Sequence, residues 1–178
     1  MKNRMVAPTR TLHLTLVIAL VSSLLSFGAN PAIAVADGTV ACSGGGSFTI
    51  SGTVVTGNTD CVGSAVVPEG VTALGNSFYN SALNSITLPS TLVIIGDSAL
   101  RETQLVSVVI PASVTSIGFL SLASRGLTSV TFGAGSQLST IGGYAFQSTK
   151  FSSITIPESV TSIASTAFQV NTDLISIV

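Results

Sequence analysis

Ser153-Ile154-Thr155-Ile156-Pro157 is one copy of a phrase that returns along the chain at intervals of 21 to 24 residues. Full copies begin at Ser85, Ser107 and Ser129, a fainter copy begins at Ser64, and a further copy starts at Ser176. A fixed period of this length is typical of a solenoid, in which each unit buries its apolar face only by stacking on its neighbours. The repeat therefore predicts the fold, and it directs attention to the long, regular surface that stacked units present.

The residues within the phrase separate into inward and outward columns. Residues two apart in a strand share a face, so the first and third residues after each serine are predicted to point into the solenoid. The first inward column contains Ala65, Ile86, Val108, Val130 and Ile154. The second contains Val67, Leu88, Ile110, Phe132 and Ile156. The column between them is predicted to point outward and contains Val66, Thr87, Val109, Thr131 and Thr155.

The rest of each unit is predicted to turn the chain back. Proline ends the strand in four of five copies because it lacks an N–H, and Gly133 replaces it in a turn two residues longer than the others. A short second apolar segment follows, and after it a small residue precedes a large one, as in Ala145-Phe146. That spacing predicts a single helical or 3₁₀ turn on the far wall. The serine that opens each phrase is predicted to bond its hydroxyl to the backbone.

These columns resemble the BspA-type leucine-rich repeat of bacterial surface proteins, whose unit reads roughly L-x-S-I-x-I-P-x-x-V-x-x-I-G-x-x-A-F. The resemblance covers residues 63–178, as five repeats and the start of a sixth. The departures from the unit are Ala65, Gly133, Ala164, Leu100 and Leu122. The resemblance implies a β-rich, right-handed leucine-rich-repeat solenoid with parallel strands, in exported proteins that bind or adhere. It implies no catalytic residue.

The first 34 residues are predicted to be a signal peptide. Lys2, Arg4 and Arg10 form a basic start, and residues 12–27 form an apolar core. Small residues in the segment 32–36 favour cleavage after residue 34 or 36. The alternative is an uncleaved membrane anchor, which needs about 20 apolar residues, more than this stretch supplies. The chain is therefore expected to meet a membrane only through the signal peptide.

Charge is scarce in the part that follows the signal peptide. Charged residues make up 7% of the whole chain, and after residue 34 three basic and seven acidic side chains give a net charge of −4. Such a surface lacks the basic patch that proteins use to bind phosphates. The sequence therefore predicts that nucleic acid is not a partner.

Two cysteines, Cys42 and Cys61, precede the repeats. An even, low cysteine count in an exported chain predicts one disulfide. The segment between the cysteines alternates apolar and polar residues around Gly52, which predicts either a hairpin or two strands joined at a glycine bend. Residues 35–62 are therefore predicted to form a disulfide-bonded β cap that covers the first repeat, because solenoids need such caps for solubility.

No constellation of catalytic residues is recognisable in the sequence. The only histidine, His13, lies in the predicted signal peptide, so no serine or threonine elsewhere has the usual base beside it. Glu69 and Glu158 occupy related turns but would lie about 19 Å apart, too far for a catalytic carboxylate pair. Asp97 and Arg101 have the spacing of a solvated i,i+4 ion pair. We therefore expect no enzyme activity, no cofactor and no metal site.

The predicted function is binding or adhesion, outside the bacterial cell or at its surface, with a protein or glycan as partner. The outward column is the candidate binding face, because solenoids recognise partners through such extended surfaces. One alternative is a structural component, or a fragment of a longer surface protein, that self-associates through an open C-terminal sheet edge. Another is binding to an ice or mineral lattice, although Val66 and Val109 interrupt the threonine ladder that this would use.

Overall fold

The computed structural model describes residues 35–178, and the predicted signal peptide lies outside the described residues. Within this part the chain forms strands and turns, without an α- or 3₁₀-helix. The strands are β1 (Gly38–Ala41), β2 (Ser47–Ser51), β3 (Val54–Thr59), β4 (Val62–Val66), β5 (Ala73–Leu74), β6 (Ala82–Thr87), β7 (Ile94–Ile95), β8 (Ser107–Ile110), β9 (Ser116–Ile117), β10 (Ser129–Phe132), β11 (Thr140–Ile141), β12 (Ser153–Ile154), β13 (Ser162–Ile163) and β14 (Ser176–Ile177).

The strands form two walls of a solenoid, which confirms the predicted fold class. The repeated phrase forms the first wall, where β4 pairs with β6, β8 with β10, and β12 with β14, all in parallel. The short apolar segments form the second wall, a sheet with the order β1-β2-β3-β5-β7-β9-β11-β13. Equivalent residues of successive repeats lie opposite each other, for example Ser107 and Ser129. One repeat therefore stacks on the next in register, as the sequence period requires.

The inward columns supply part of the core, and Ile86, Leu88, Val130, Phe132 and Ile156 are half-buried against it. Ala65, Val108, Ile110 and Ile154 are each less than 5% exposed. The large residue that precedes each phrase by two positions is also buried, as at Leu83, Leu105, Leu127 and Phe151. On the far wall the large member of each small–large pair is buried at Phe78, Leu100, Leu122 and Phe146. Apolar burial of this kind, at about 25 cal/mol per Å², is the main term that holds one repeat to the next.

The far wall consists of turns, and the predicted helical or 3₁₀ turn is absent from residues 35–178. Ser98, Leu120 and Tyr144 have φ angles of 54° to 57°, in the left-handed region, which a right-handed helix cannot contain. Backbone N–H groups in these turns donate to carbonyl oxygens of the following repeat. Leu120 N–H donates to Gly143 O at 3.0 Å, and Phe146 N–H donates to Ala167 O at 2.9 Å. The far wall is thus a third connection between repeats, which the spacing of side chains alone does not reveal.

The disulfide between Cys42 and Cys61 is present and confirms the predicted pairing. Between the cysteines, β2 and β3 form an antiparallel hairpin around Gly52. Strand β3 then pairs in parallel with β5, so the hairpin joins the second wall of the solenoid directly. The boundaries at residues 34 and 62 remain predictions. In residues 35–178 no helix is long and apolar enough to cross a membrane.

Candidate binding surface

The candidate face is the outward column on the first wall. The side chains of Val66 and Val109 are 60% and 62% exposed, and Thr87, Thr131 and Thr155 are exposed as well. Strand pairing sets Val66 beside Thr87 and Val109 beside Thr131. Thr155 has no such neighbour in β10. The structure therefore brings the five predicted residues together only as two separate pairs, because β6 and β8 are not joined either, and leaves Thr155 apart.

The first wall is interrupted twice, between β6 and β8 and between β10 and β12, because no ladder joins either pair of strands. On this wall the nearest backbone bond across the second gap is Lys150 N–H to Leu127 O, which precedes both strands. Most Cα pairs between β10 and β12 are more than 8 Å apart. Paired strands lie about 4.8 Å apart. The outward column is thus divided at two places, and only the second follows the turn with two extra residues.

The longer turn accompanies the gap between β10 and β12, whereas the gap between β6 and β8 follows a turn without extra residues. Gly133 N–H still donates to Ile110 O at 2.9 Å, and Gln137 N–H donates to Ala112 O at 2.8 Å. Both ends of the turn are therefore bound to the preceding repeat. Between them, Gly135 has a φ of 72°, in the left-handed region, which allows the chain to change direction. The extra residues therefore stay on the side of the preceding repeat.

The gap opens into a groove of about 730 Å³. Val130 and Phe132 line one side, and Ile154 and Thr155 line the other. Val130 and Phe132 are half-buried, whereas the equivalent Val108 and Ile110 in β8 are 3% and 0% exposed. Ile86 in β6, which also precedes a gap, and Leu88 just after that strand are half-buried as well. The inward side chains of a strand are therefore partly accessible where the next strand does not pair with it. The groove was not predicted from the sequence, in which the Gly133 insertion marks only one of the two gaps.

The acidic residues of the turns have different surroundings. Glu69 accepts hydrogen bonds from the N–H and the hydroxyl of Ser90, both at 3.0 Å, and these bonds lower the pKa of its carboxyl. Glu158, at the equivalent turn, lies exposed at the groove. The carboxylate of Glu69 is thus hydrogen-bonded to a neighbouring repeat, whereas the carboxylate of Glu158 is accessible to a partner.

The predicted ion pair between Asp97 and Arg101 is wrong. Asp97 Oδ1 accepts the N–H of Phe119 at 2.8 Å, and Arg101 contacts Glu102 at 3.2 Å and lies over the ring of Tyr79 at 5.1 Å. The i,i+4 rule applies to a helix, and this segment turns instead. Asp97 therefore joins two repeats, and Arg101 covers an aromatic side chain on the far wall.

The serine that opens each phrase also differs from its prediction. The hydroxyls of Ser85, Ser107, Ser129 and Ser153 are exposed and make no hydrogen bond within residues 35–178. The hydroxyls that bond to backbone lie in the turns after the strands. They include Ser113, which donates to Leu92 O, together with Thr91 and Ser159. The opening serines are therefore free to contact a partner.

No group of three or more histidine, cysteine, aspartate or glutamate side chains converges within residues 35–178. The exposed first wall instead offers hydroxyls, valine side chains and, at the groove, unpaired strand edges. Such a surface is suited to contact with another molecule over several repeats.

A family profile and the crystal structure of one known protein give the same architecture. The sequence profile of the BspA type Leucine rich repeat region matches six copies across residues 57–177. The crystal structure of the pneumococcal vaccine antigen PcpA superimposes with a TM-score of 0.57 at 17% identity, covering 79% of this chain and 49% of that one. A leucine-rich cell surface protein from Faecalibacterium prausnitzii gives 0.38 at 18% identity, with coverages of 82% and 54%. The chain thus spans about half the length of each. No curated protein matches it.

Proposed function

Because the chain belongs to the BspA-type leucine-rich repeat family, we propose that it is an exported, non-enzymatic surface protein that binds a protein or glycan. The binding face is the outward column of the first wall. The observation that carries the proposal is the exposure of Val66 and Val109, at 60% and 62%, in the middle of regular strands. Valine suits an exposed strand position, but an uncharged strip of valine, threonine and serine is also what the centre of an interface requires.

The low charge of the surface supports the same proposal. Charged side chains are depleted at the centres of interfaces because their desolvation is costly. None of the five residues of the outward column is charged. The described surface also carries its polar groups on short side chains, which lose little rotational entropy when a partner immobilises them.

Binding of the biotinylated full-length protein to a panel of matrix proteins and to a glycan array tests the proposal. We expect Val109→Asp to weaken the signal about tenfold or more, since it introduces a charge that a partner would have to desolvate. Val93→Asp is the matched control, because Val93 is 36% exposed on the second wall. Equal binding by the wild type and the Val109→Asp variant would contradict the proposed face. Recovery of the protein only from the cytoplasm would contradict export.

The alternative is a structural component that self-associates. Light scattering across a wide range of protein concentration tests this alternative. A monomer at every concentration would remove it and leave the binding proposal unaffected.

A further inference from the structure

We propose that the groove between β10 and β12 binds an extended peptide with a basic side chain, which adds a strand between the two separated edges. The inference rests on the proposed function, because it names one class of partner for part of the same face. Thr131 and Thr155 belong both to the outward column and to the lining of the groove.

The backbone groups at the gap are the first support. In the paired repeats that follow, Val178 N–H donates to Ile154 O at 3.0 Å and Ile156 N–H donates to Val178 O at 2.7 Å. By the same pattern, Val130 O and Phe132 N–H face β12, but no bond from β12 meets them. Unpaired backbone groups beside apolar side chains are unfavourable, so a strand that pairs with them would be stabilised.

The dimensions of the gap are the second support. A strand inserted between two others needs about twice the usual spacing, roughly 9 to 10 Å. Most Cα pairs across the gap exceed 8 Å, so the edges are further apart than in a ladder, and the proposal requires them to reach the width of an inserted strand when the peptide binds. The groove volume of about 730 Å³ lies within the range of about 300 to 1,000 Å³ that is usual for ligand sites.

The side chains that line the groove indicate which peptide sequence would bind. Val130 and Phe132 are two residues apart and half-buried, so they match apolar side chains at alternate positions of an extended chain. Glu158 lines the groove, and the salt bridge found within residues 35–178 joins Arg101 to Glu102 and leaves Glu158 unpaired. A lysine or arginine of the peptide would therefore meet an available carboxylate. A glycan would satisfy the hydroxyls of the groove but not its apolar side chains.

A random octapeptide library displayed on phage, selected on the full-length protein, tests the inference. By analogy with Val178, the N–H of Thr155 faces the gap, and Thr155→Pro removes it without changing the edge that pairs with β14. Thr155→Val is the matched control, because it removes the hydroxyl and retains the N–H. We expect peptides with alternating apolar residues and a lysine or arginine to be enriched on the wild type and on Thr155→Val, but not on Thr155→Pro.

An enriched peptide is then synthesised in ordinary form and with alternate backbone nitrogens methylated, and fluorescence anisotropy measures its dissociation constant. We expect methylation and Thr155→Pro each to weaken binding about tenfold or more, as loss of one hydrogen bond of about 1.4 kcal/mol does. Glu158→Gln is expected to weaken binding of the basic peptide, whereas Glu69→Gln at the equivalent turn is expected to leave the dissociation constant unchanged.

Failure to enrich any peptide over Thr155→Pro would overturn the inference, as would equal binding of the methylated peptide. A glycan whose binding is lost in Thr155→Pro would assign the groove to a different partner and also overturn it. If the peptide inference failed in this way but Val109→Asp still weakened binding of the surface partner, the proposed function would hold and only the role of the groove would be rejected. If Val109→Asp were also without effect, both proposals would fail.

Discussion

At the residue scale, Gly133 has the clearest physical reason for its identity. It stands where other repeats have proline, but its N–H donates to Ile110 O, a bond that proline cannot make. A Cβ at this position would lie 2.8 Å from the nitrogen of Ala112, closer than side chains approach backbone atoms. Glycine therefore permits the longer turn to stay against the preceding repeat.

Gly133→Ala is expected to lower the free energy of unfolding by about 1 to 3 kcal/mol, because the added methyl group forces the turn away from Ala112. Gly57→Ala is the matched control, since a Cβ there meets nothing within 4 Å. The control is expected to change stability by less than about 1 kcal/mol. Urea denaturation of both variants measures the difference. Equal stabilities would contradict the close contact at Gly133.

At the scale of the element, the strands were predictable and the connection between β10 and β12 was not. Alternation of apolar and polar residues identifies which side chains of a strand face inward, as at Ile154. It carries no information on whether the strand pairs with its neighbour, and turn length does not supply it, since β6 and β8 are unpaired across a turn of ordinary length. The far wall has the same limitation, because the left-handed conformation of Leu120 is not encoded by any residue type that usually adopts it.

The cap is the element whose stability depends most on a covalent bond. Cys42 and Cys61 are 19 residues apart, and both are at most 5% exposed. The double variant Cys42→Ala with Cys61→Ala avoids a free thiol, and we expect it to lower the free energy of unfolding by about 3 kcal/mol. Differential scanning calorimetry of the oxidised protein, the reduced protein and the variant measures the effect. Unchanged melting temperatures would mean that the cap folds without the bond.

At the scale of the molecule, contact between repeats is local. Each strand pairs with the equivalent strand of an adjacent repeat, and the far-wall bonds also join adjacent repeats. The stability of such a chain is approximately a sum of terms for single repeats and for their interfaces. A destabilising substitution in one repeat should therefore lower the local stability of the adjacent repeats more than that of the cap.

Phe146 allows this expectation to be measured. Its ring is fully buried, with centroids 5.7 Å from Phe151 and 5.3 Å from Phe168. Phe146→Ala is expected to cost about 3 to 5 kcal/mol, because it leaves a cavity at the interface of two repeats. Hydrogen exchange followed by mass spectrometry should show faster exchange in residues 116–170 than in residues 38–66.

Phe48→Ala in the cap is the matched control, because Phe48 is also fully buried and contacts Phe78 at 5.3 Å. It should give the reverse pattern, with faster exchange in the cap and the first repeat. If both variants accelerated exchange equally along the chain, the solenoid would unfold as one cooperative unit. The strand pairs on either side of the β10–β12 gap would then be coupled through the core and the second wall strongly enough to outweigh the missing ladder between them.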